Sequence, residues 1–323
     1  MQQPTSQQKL IAAFAALYFV WGSTYLGIRF AIETIPPLLM AGIRFVIAGS
    51  LMYFWGVLRG HERPTRAHWK TAAIIGLMLL LVGNGALSWS EQIIPSGVAA
   101  LLVAVTPLWF VLLEWIHGGV RPTVGVFLGL FLGTLGIIVL IDPANLVGGL
   151  SVNIVGALVL LGSSICWAVG SIYSRRASLP SSPAIANGME MLVGGVGLLV
   201  IGTVTGEWSS FHPSAITIRS MLAVAYLIVF GSIIGFSSFV YVLHSTTPAR
   251  ASTYAYVNPI VAVLIGWSIG GETLGGRVLL AAALIVAAVA AITILGTRKN
   301  TEVLEKLQTN KESDEPAKNV EQP

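Results

Sequence analysis

The chain has 323 residues, 55% of them hydrophobic and only 10% charged, with a formal net charge of +4. A mean hydropathy of +0.81 excludes a water-soluble globular domain, whose interior could not hide that much apolar surface. The basic excess sorts by membrane side, so it does not point to a nucleic-acid partner.

Apolar stretches of about 20 residues can cross a hydrocarbon core of about 30 Å at 1.5 Å per residue. They begin near Leu10, Pro37, Thr71, Ser96, Thr123, Val152, Ala184, Ile218, Arg250 and Gly276, which predicts ten spans. Lipid cannot satisfy backbone polar groups, so each stretch must be a helix, and their continuous apolarity lacks the alternation of a barrel strand. The predicted fold class is all-α, a polytopic membrane protein. The first stretch stands where a signal peptide would, yet it has a counterpart at residues 154–174 and is predicted to be retained. Beyond Gly296 the chain turns charged and polar, the composition of a disordered cytoplasmic tail over residues 298–323.

Arg59, Arg63, Arg66 and Lys70 share one connection, and Lys9, Arg121, Arg175, Arg176, Arg250, Arg298 and Lys299 flank span ends on the same side. The opposite connections carry Glu33, Glu91, Asp142, Glu207 and Glu272, with Arg219 and Arg277. Positive charge accumulates on the cytoplasmic face, which puts both termini inside an inner or plasma membrane. The single Cys166 lies within a span and reads as a packing residue.

The sequence also repeats itself. Trp21 through Arg29 recurs as Trp167 through Arg175, and Gly42-Ile43-Arg44 as Gly188-Met189-Glu190, both 146 residues on. Thr106-Pro107, Trp115 and Gly118-Gly119 recur as Asn258-Pro259, Trp267 and Gly270-Gly271, 152 residues on. The predicted units are residues 1–146 and 147–297, five spans each. An odd number of spans makes the second unit enter the membrane from the opposite side. Such inverted repeats are a recurrent device of secondary transporters, with the substrate site between the halves near mid-membrane.

Trp21-Gly22-Ser23-Thr24, Ala41-Gly42-Ile43-Arg44-Phe45, Thr106-Pro107, Asn258-Pro259 and Gly271-Glu272-Thr273-Leu274 together resemble the EamA family of the drug/metabolite transporter superfamily, over roughly residues 10–295. Gly119-Val120 departs from it, standing where members often carry an acidic residue. The resemblance implies ten helices in two repeats and movement of amino acids or other small metabolites by alternating access.

Polar residues inside the spans are the candidate site. Arg44 lies about seven residues, roughly 10 Å, inside the outer end of its span, where it must face a cavity or a partner. Its counterpart Glu190 lies at a similar depth from the inner face. Arg44 would attract a carboxylate or phosphate, and Glu190 an ammonium group or a proton; a salt bridge between them is the structural alternative. Asn84, between Gly83 and Gly85, and Asn258 supply amides. Trp21, Tyr25, Trp89, Trp167 and Tyr254 supply aromatic surface within spans, where packing is the competing role. Pro107 and Pro259 read as matched kinks with a gating role. Arg29, Glu33 and Glu114 read as snorkelling or locally paired charges. Gly125, Gly129, Gly133 and Gly136 form a stripe for close packing, within one protomer or across a homodimer.

A nucleotide-binding loop, paired metal-ligand spacing, an intramembrane nucleophile with its base and a channel filter are all missing from the sequence. The expectation is a non-enzymatic secondary transporter without metal or cofactor, exporting small metabolites such as amino acids, with protons as the coupling partner. Uptake of a polar metabolite or sugar, and a non-transporting partner protein in a lipid or glycan pathway, are the alternatives. A reporter active only in the cytoplasm, fused after Pro323, is expected to be active, and one fused in the Glu207 connection silent; the reverse pattern overturns the charge-based topology.

Overall fold

The structure is a computed structural model that describes residues 6–94, 99, 102–117, 121–141, 153–270 and 276–292. Among the described residues there are helices and turns and no strand. The principal helices are α1 (Ser6–Ile32), α2 (Pro37–Leu58), α3 (Arg66–Ser90), α4 (Thr106–Ile116), α5 (Val124–Ile141), α6 (Ile154–Ser174), α7 (Pro183–Val204), α8 (Ile218–Ser245), α9 (Tyr254–Gly270) and α10 (Gly276–Ala290). Six of them, α1, α2, α3, α6, α7 and α8, are long and apolar enough to cross a membrane by the criteria of length and composition.

Local chemistry sets where these helices begin. Pro37 and Pro183 stand in the first turns of α2 and α7, where a missing N–H costs nothing. Thr65 caps α3 in a reciprocal pair with His68, and Asn153 and Thr217 cap α6 and α8 with their side chains. Glu207, in the turn after α7, accepts hydrogen bonds from the backbone N–H groups of Leu38 at 3.0 Å and Leu39 at 2.9 Å. A carboxylate thus satisfies free N–H groups at the buried start of α2 and ties it to the end of α7. Leu58, Val124 and Val204 project outward from the bundle, as side chains must where lipid is the solvent.

The tightest contact is a glycine seam between α2 and α7. A Cβ on Gly42 would fall 3.0 Å from the backbone N of Leu199, and one on Gly49 2.8 Å from the backbone O of Gly188. Gly56 lies against Ile185, Gly188 against Tyr53, Gly195 against Val46 and Gly202 against Leu39. Rising numbers on α2 meet falling numbers on α7, so the helices run antiparallel. The contacts are also reciprocal: Gly42 with Leu199 and Gly188 with Tyr53 exchange members on shifting each residue by 146, as do Gly56 with Ile185 and Gly202 with Leu39. Backbones approach this closely only where side chains are absent.

A second glycine stripe packs inside the protomer. Gly129 and Gly136 of α5 abut Ile292 and Ile285 at and beyond α10, and Gly133 abuts the Tyr256 ring. The role left open by the sequence, within or between protomers, is occupied here from within.

Three features depart from the sequence reading. Pro107 stands in the first turn of α4, behind a turn at residues 104–105, so it follows a break in the helix rather than bending one; Pro259 lies inside α9 as expected. Helices α3 and α8 each contain a π-helical segment, Leu77–Asn84 and Leu227–Phe236. Glu33 pairs with Arg219 at 3.6 Å rather than with Arg29, and Glu114 pairs with Arg175 at 3.8 Å. The expected tail at residues 298–323, the boundary near residue 146, and Glu272 lie outside the described residues.

Gly195→Ala is expected to destabilise the protein by about 1–3 kcal/mol, because the new methyl would sit 2.8 Å from the Val46 backbone N. Gly162→Ala, where nothing lies within 4 Å, is expected to change stability by less than about 1 kcal/mol. Thermal unfolding midpoints in detergent compare the two.

Candidate functional site: an intramembrane cavity

The π segments determine the cavity. A π turn widens the helix and shifts its hydrogen bonds from i−4 to i−5, as in the Gly85 N–H to the Leu80 carbonyl. The wall can then be approached by large rings at its glycines. A Cβ on Gly83 would lie 2.6 Å from the Trp167 ring, and one on Gly235 2.6 Å from the Trp21 ring. Trp167 of α6 therefore packs against α3 at Gly83, and Trp21 of α1 against α8 at Gly235, while the two indoles meet edge-on with centroids 5.6 Å apart. Trp21 Nε1 donates to the Gly231 carbonyl at 3.1 Å, within the π segment of α8.

Beside this indole pair lies a partly open, mostly apolar cavity in which about 80 Å³ admits the centre of a water molecule. It is therefore a small slot, sized for a small molecule. Arg44, Asn84, Trp21, Tyr25, Trp167, Tyr254 and Asn258 all line it, with Thr24, Thr106, Ser163 and Phe236 among their neighbours. The serines and threonines spend their protons on their own helices: Thr24 Oγ1 donates to the Trp21 carbonyl at 2.7 Å, and Ser163 Oγ to the Leu160 carbonyl at 2.8 Å. Neither Ser163 nor Ser164 meets a base; Ser164 donates to the Leu161 carbonyl and accepts from Trp109 Nε1.

Among the described residues, Arg44 is the one cation on this wall. It is 3% exposed, and its Nε donates to Ser232 Oγ at 2.7 Å, which fixes the direction of the guanidinium. Its Nη1 is buried without a hydrogen-bond partner, and no carboxylate pairs with it among the described residues. One more buried polar atom of a lining residue is unpartnered, Asn84 Oδ1, an acceptor; the Trp167 indole N–H faces the Tyr254 hydroxyl. Asn258 is oriented by the carbonyls it faces, its amide nitrogen donating to those of Tyr18 at 3.2 Å and Tyr254 at 3.0 Å. The wall thus offers a fixed cation, a separate amide oxygen and an aromatic floor.

Two candidates stand elsewhere. Trp89 lies beyond the π segment, packed against the main apolar core. Glu190 is 1% exposed on α7 and is absent from the cavity wall; its backbone carbonyl faces Gly76 of α3, and its Oε2 has no hydrogen-bond partner. The α7 face that carries it is turned toward α2 and α3, and sequence gives the face of a helix only when its neighbours are known.

On the side assigned to the cytoplasm the bundle is tied shut. Tyr18 and Thr253 hydroxyls share a hydrogen bond of 2.6 Å, His244 Nε2 lies 3.3 Å from the Ser174 carbonyl, and Glu114 meets Arg175. Toward the other side, Ser23 and Tyr226 hydroxyls bond each other, and Ser220 Oγ donates to the Phe30 carbonyl at 2.8 Å. Glu91, just past the end of α3, has both carboxyl oxygens buried without hydrogen-bond partners. Burial pushes this carboxyl well above the usual carboxylate range, and Arg29 offsets part of the effect.

Helices of membrane-spanning length packed around a mostly apolar cavity define the class, a multi-pass membrane protein. The chain belongs to the EamA-like transporter family, whose model matches residues 8–142 and 154–294. It is 43% identical over 286 residues to the uncharacterized inner membrane transporter YedA of Escherichia coli (strain K12), covering 88% of this chain and 90% of that protein. It is 27% identical to the uncharacterized transporter YvbV of Bacillus subtilis (strain 168), covering 81% and 84%. A solved crystal structure shares the fold with a TM-score of 0.73 at 21% identity, over 91% of this chain and 99% of that one. The protein is a multi-pass inner membrane protein of this family.

A raised carboxyl pKa means that the fold stabilises the protonated form. That contribution is complete below the unfolded value of about 4.3 and is lost as pH rises through the folded one. Glu91→Gln, which mimics the protonated form, is expected to raise the unfolding midpoint at pH 8 and to change it little at pH 4; an equal effect at both pH values overturns this assignment.

Proposed function

We propose that the protein is a secondary active transporter of small metabolites that carry a carboxylate or similar anionic group, and that it works by alternating access between two inverted five-helix repeats. The observation that carries this reading is Arg44: a buried cation on a cavity wall, aimed by Ser232, with Nη1 unsatisfied and no acidic partner among the described residues. Burying an unpaired cation is expensive, and a bound anion is the group that offsets it. A structural salt bridge to Glu190 would have removed that cost, and none is formed.

Amino acids are the substrate class this wall suits first. The carboxylate meets Arg44, the ammonium group is within the chemistry of Asn84 Oδ1, and an apolar or aromatic side chain lies against Trp21, Trp167 and Tyr254. Export, coupled to protons, is the direction and coupling we assign. The reciprocal α2–α7 contacts, the paired π segments and the Trp-on-glycine pairs support the inverted-repeat architecture, since each contact has a partner of the same kind in the other half. A protein that only assisted a partner enzyme would have no use for a buried cation without an acidic partner on a cavity wall.

Cells expressing the wild type are expected to lose a preloaded amino acid from a tested panel faster than cells expressing Arg44→Ala, by at least tenfold at equal membrane level. Ser232→Ala, which removes only the orienting hydrogen bond worth about 1 kcal/mol, is expected to slow the flux about fivefold. Equal flux in wild type and Arg44→Ala ends the reading.

A further inference from the structure

Glu190 is a buried acid that the cavity does not use. It is 1% exposed, its Oε2 has no hydrogen-bond partner, and no cationic side chain of α2 or α3 pairs with it among the described residues. Asn187, one turn earlier on the same face, is buried with its Oδ1 likewise unpartnered, while its Nδ2 donates to Ser237 Oγ at 3.2 Å. A packing role calls for neither group. An apolar side chain would fill the same space without leaving an acceptor unsatisfied.

The seam gives this position a meaning. Every reciprocal contact between α2 and α7 exchanges its members on a shift of 146 residues, and the same shift carries Arg44 onto Glu190. The two charges therefore occupy equivalent places about one pseudo-two-fold axis, each seven residues from the N-terminal end of its helix, and so toward opposite faces of the membrane. They differ in environment, Arg44 lining the cavity and Glu190 enclosed. In an inverted-repeat transporter the two halves exchange conformations between the outward and inward states. The environment of Arg44 in one state then becomes that of Glu190 in the other.

We propose that Glu190 is the cavity-facing charge of the opposite state: as the halves exchange, α2 withdraws Arg44 and α7 presents Glu190, so the site turns from cationic to anionic while it changes sides. For an exporter the cytoplasm-facing site is the loading site: Glu190 there takes an amino acid by its ammonium group and turns simple carboxylates away, before Arg44 meets the carboxylate of the admitted zwitterion. Glu190 is on this account a specificity-determining residue that admits zwitterions and cations from the cytoplasm and excludes simple carboxylates. The inference rests on the alternating-access reading above.

Single cysteines test it, each in a Cys166→Ser background and assayed in right-side-out and inverted membrane vesicles with impermeant thiosulfonate reagents of either charge. Thr24→Cys, on the cavity wall beside Arg44, is expected to react from the outer side, and Asn187→Cys from the cytoplasmic side, each at least tenfold faster than the core position Leu198→Cys. At Asn187→Cys the cationic reagent is expected to outpace the anionic one about tenfold relative to their rates with free thiol, and Glu190→Gln is expected to abolish that preference. Asn187→Cys unreactive from both sides, or reactive from the outer side only, overturns the proposal, as does a charge preference that survives Glu190→Gln. Thr24→Cys unreactive from both sides would instead defeat the cavity reading itself, and this proposal with it. Should Asn187→Cys fail to insert, Glu190→Cys reports the same accessibility, and silence from the cytoplasmic side is again fatal.

Discussion

The seam between α2 and α7 is the constraint on which the rest of the molecule depends. In lipid there is no hydrophobic drive to bring apolar helices together, so association rests on dispersion contacts at close range. Gly42, Gly49 and Gly56 on one helix and Gly188, Gly195 and Gly202 on the other let two backbones touch, and they do so at one rotation and one register. That register in turn points Arg44 at α8, where Ser232 receives it, and leaves Glu190 enclosed against α3. One close-packed line therefore sets the place of both intramembrane charges.

The π segments perform the complementary task of making space. A purely α-helical bundle packed this tightly would close its own centre. Widened turns at Leu77–Asn84 and Leu227–Phe236 hold the walls apart, and Gly83 and Gly235 let Trp167 and Trp21 pack closely against them. The Trp21 N–H finds the Gly231 carbonyl within one such turn. The indole donor is thus satisfied by the backbone, without a polar side chain being spent on it. The result is an aromatic floor beneath a single oriented cation, with an amide oxygen left unfilled nearby.

Much of this was legible in the sequence, and its limits are physical. Composition alone required helices, since lipid permits few other structures, and the 146-residue repeat paired Trp21 with Trp167 and Arg44 with Glu190. Arg44, Asn84, Asn258 and four aromatic residues were identifiable because polar or aromatic groups deep in an apolar span have few uses. The same argument selected Trp89 and Glu190, which the fold turns away from the cavity. Pro107 read as a kink because sequence does not say whether a helix continues through a proline or begins at it. The π segments left only a faint trace, the glycines at 83, 85, 231 and 235, because a widened turn and a close-packing site call for the same residue.

What the sequence determined by itself was the solvent, the secondary structure and the inventory: a membrane chain, helical, with a small set of buried polar groups paired by an internal repeat. These follow from local composition and from the free energy of placing each residue in hydrocarbon. What only the tertiary structure decided was which of those groups share one space. A helix presents a side chain in every direction, and whether a given direction meets a neighbour, lipid or a cavity depends on helices distant in the chain. Arg44 and Glu190 are equivalent in the repeat and similar in depth, yet one lines the slot and the other is enclosed, and only the packing of α2 against α7 separates them.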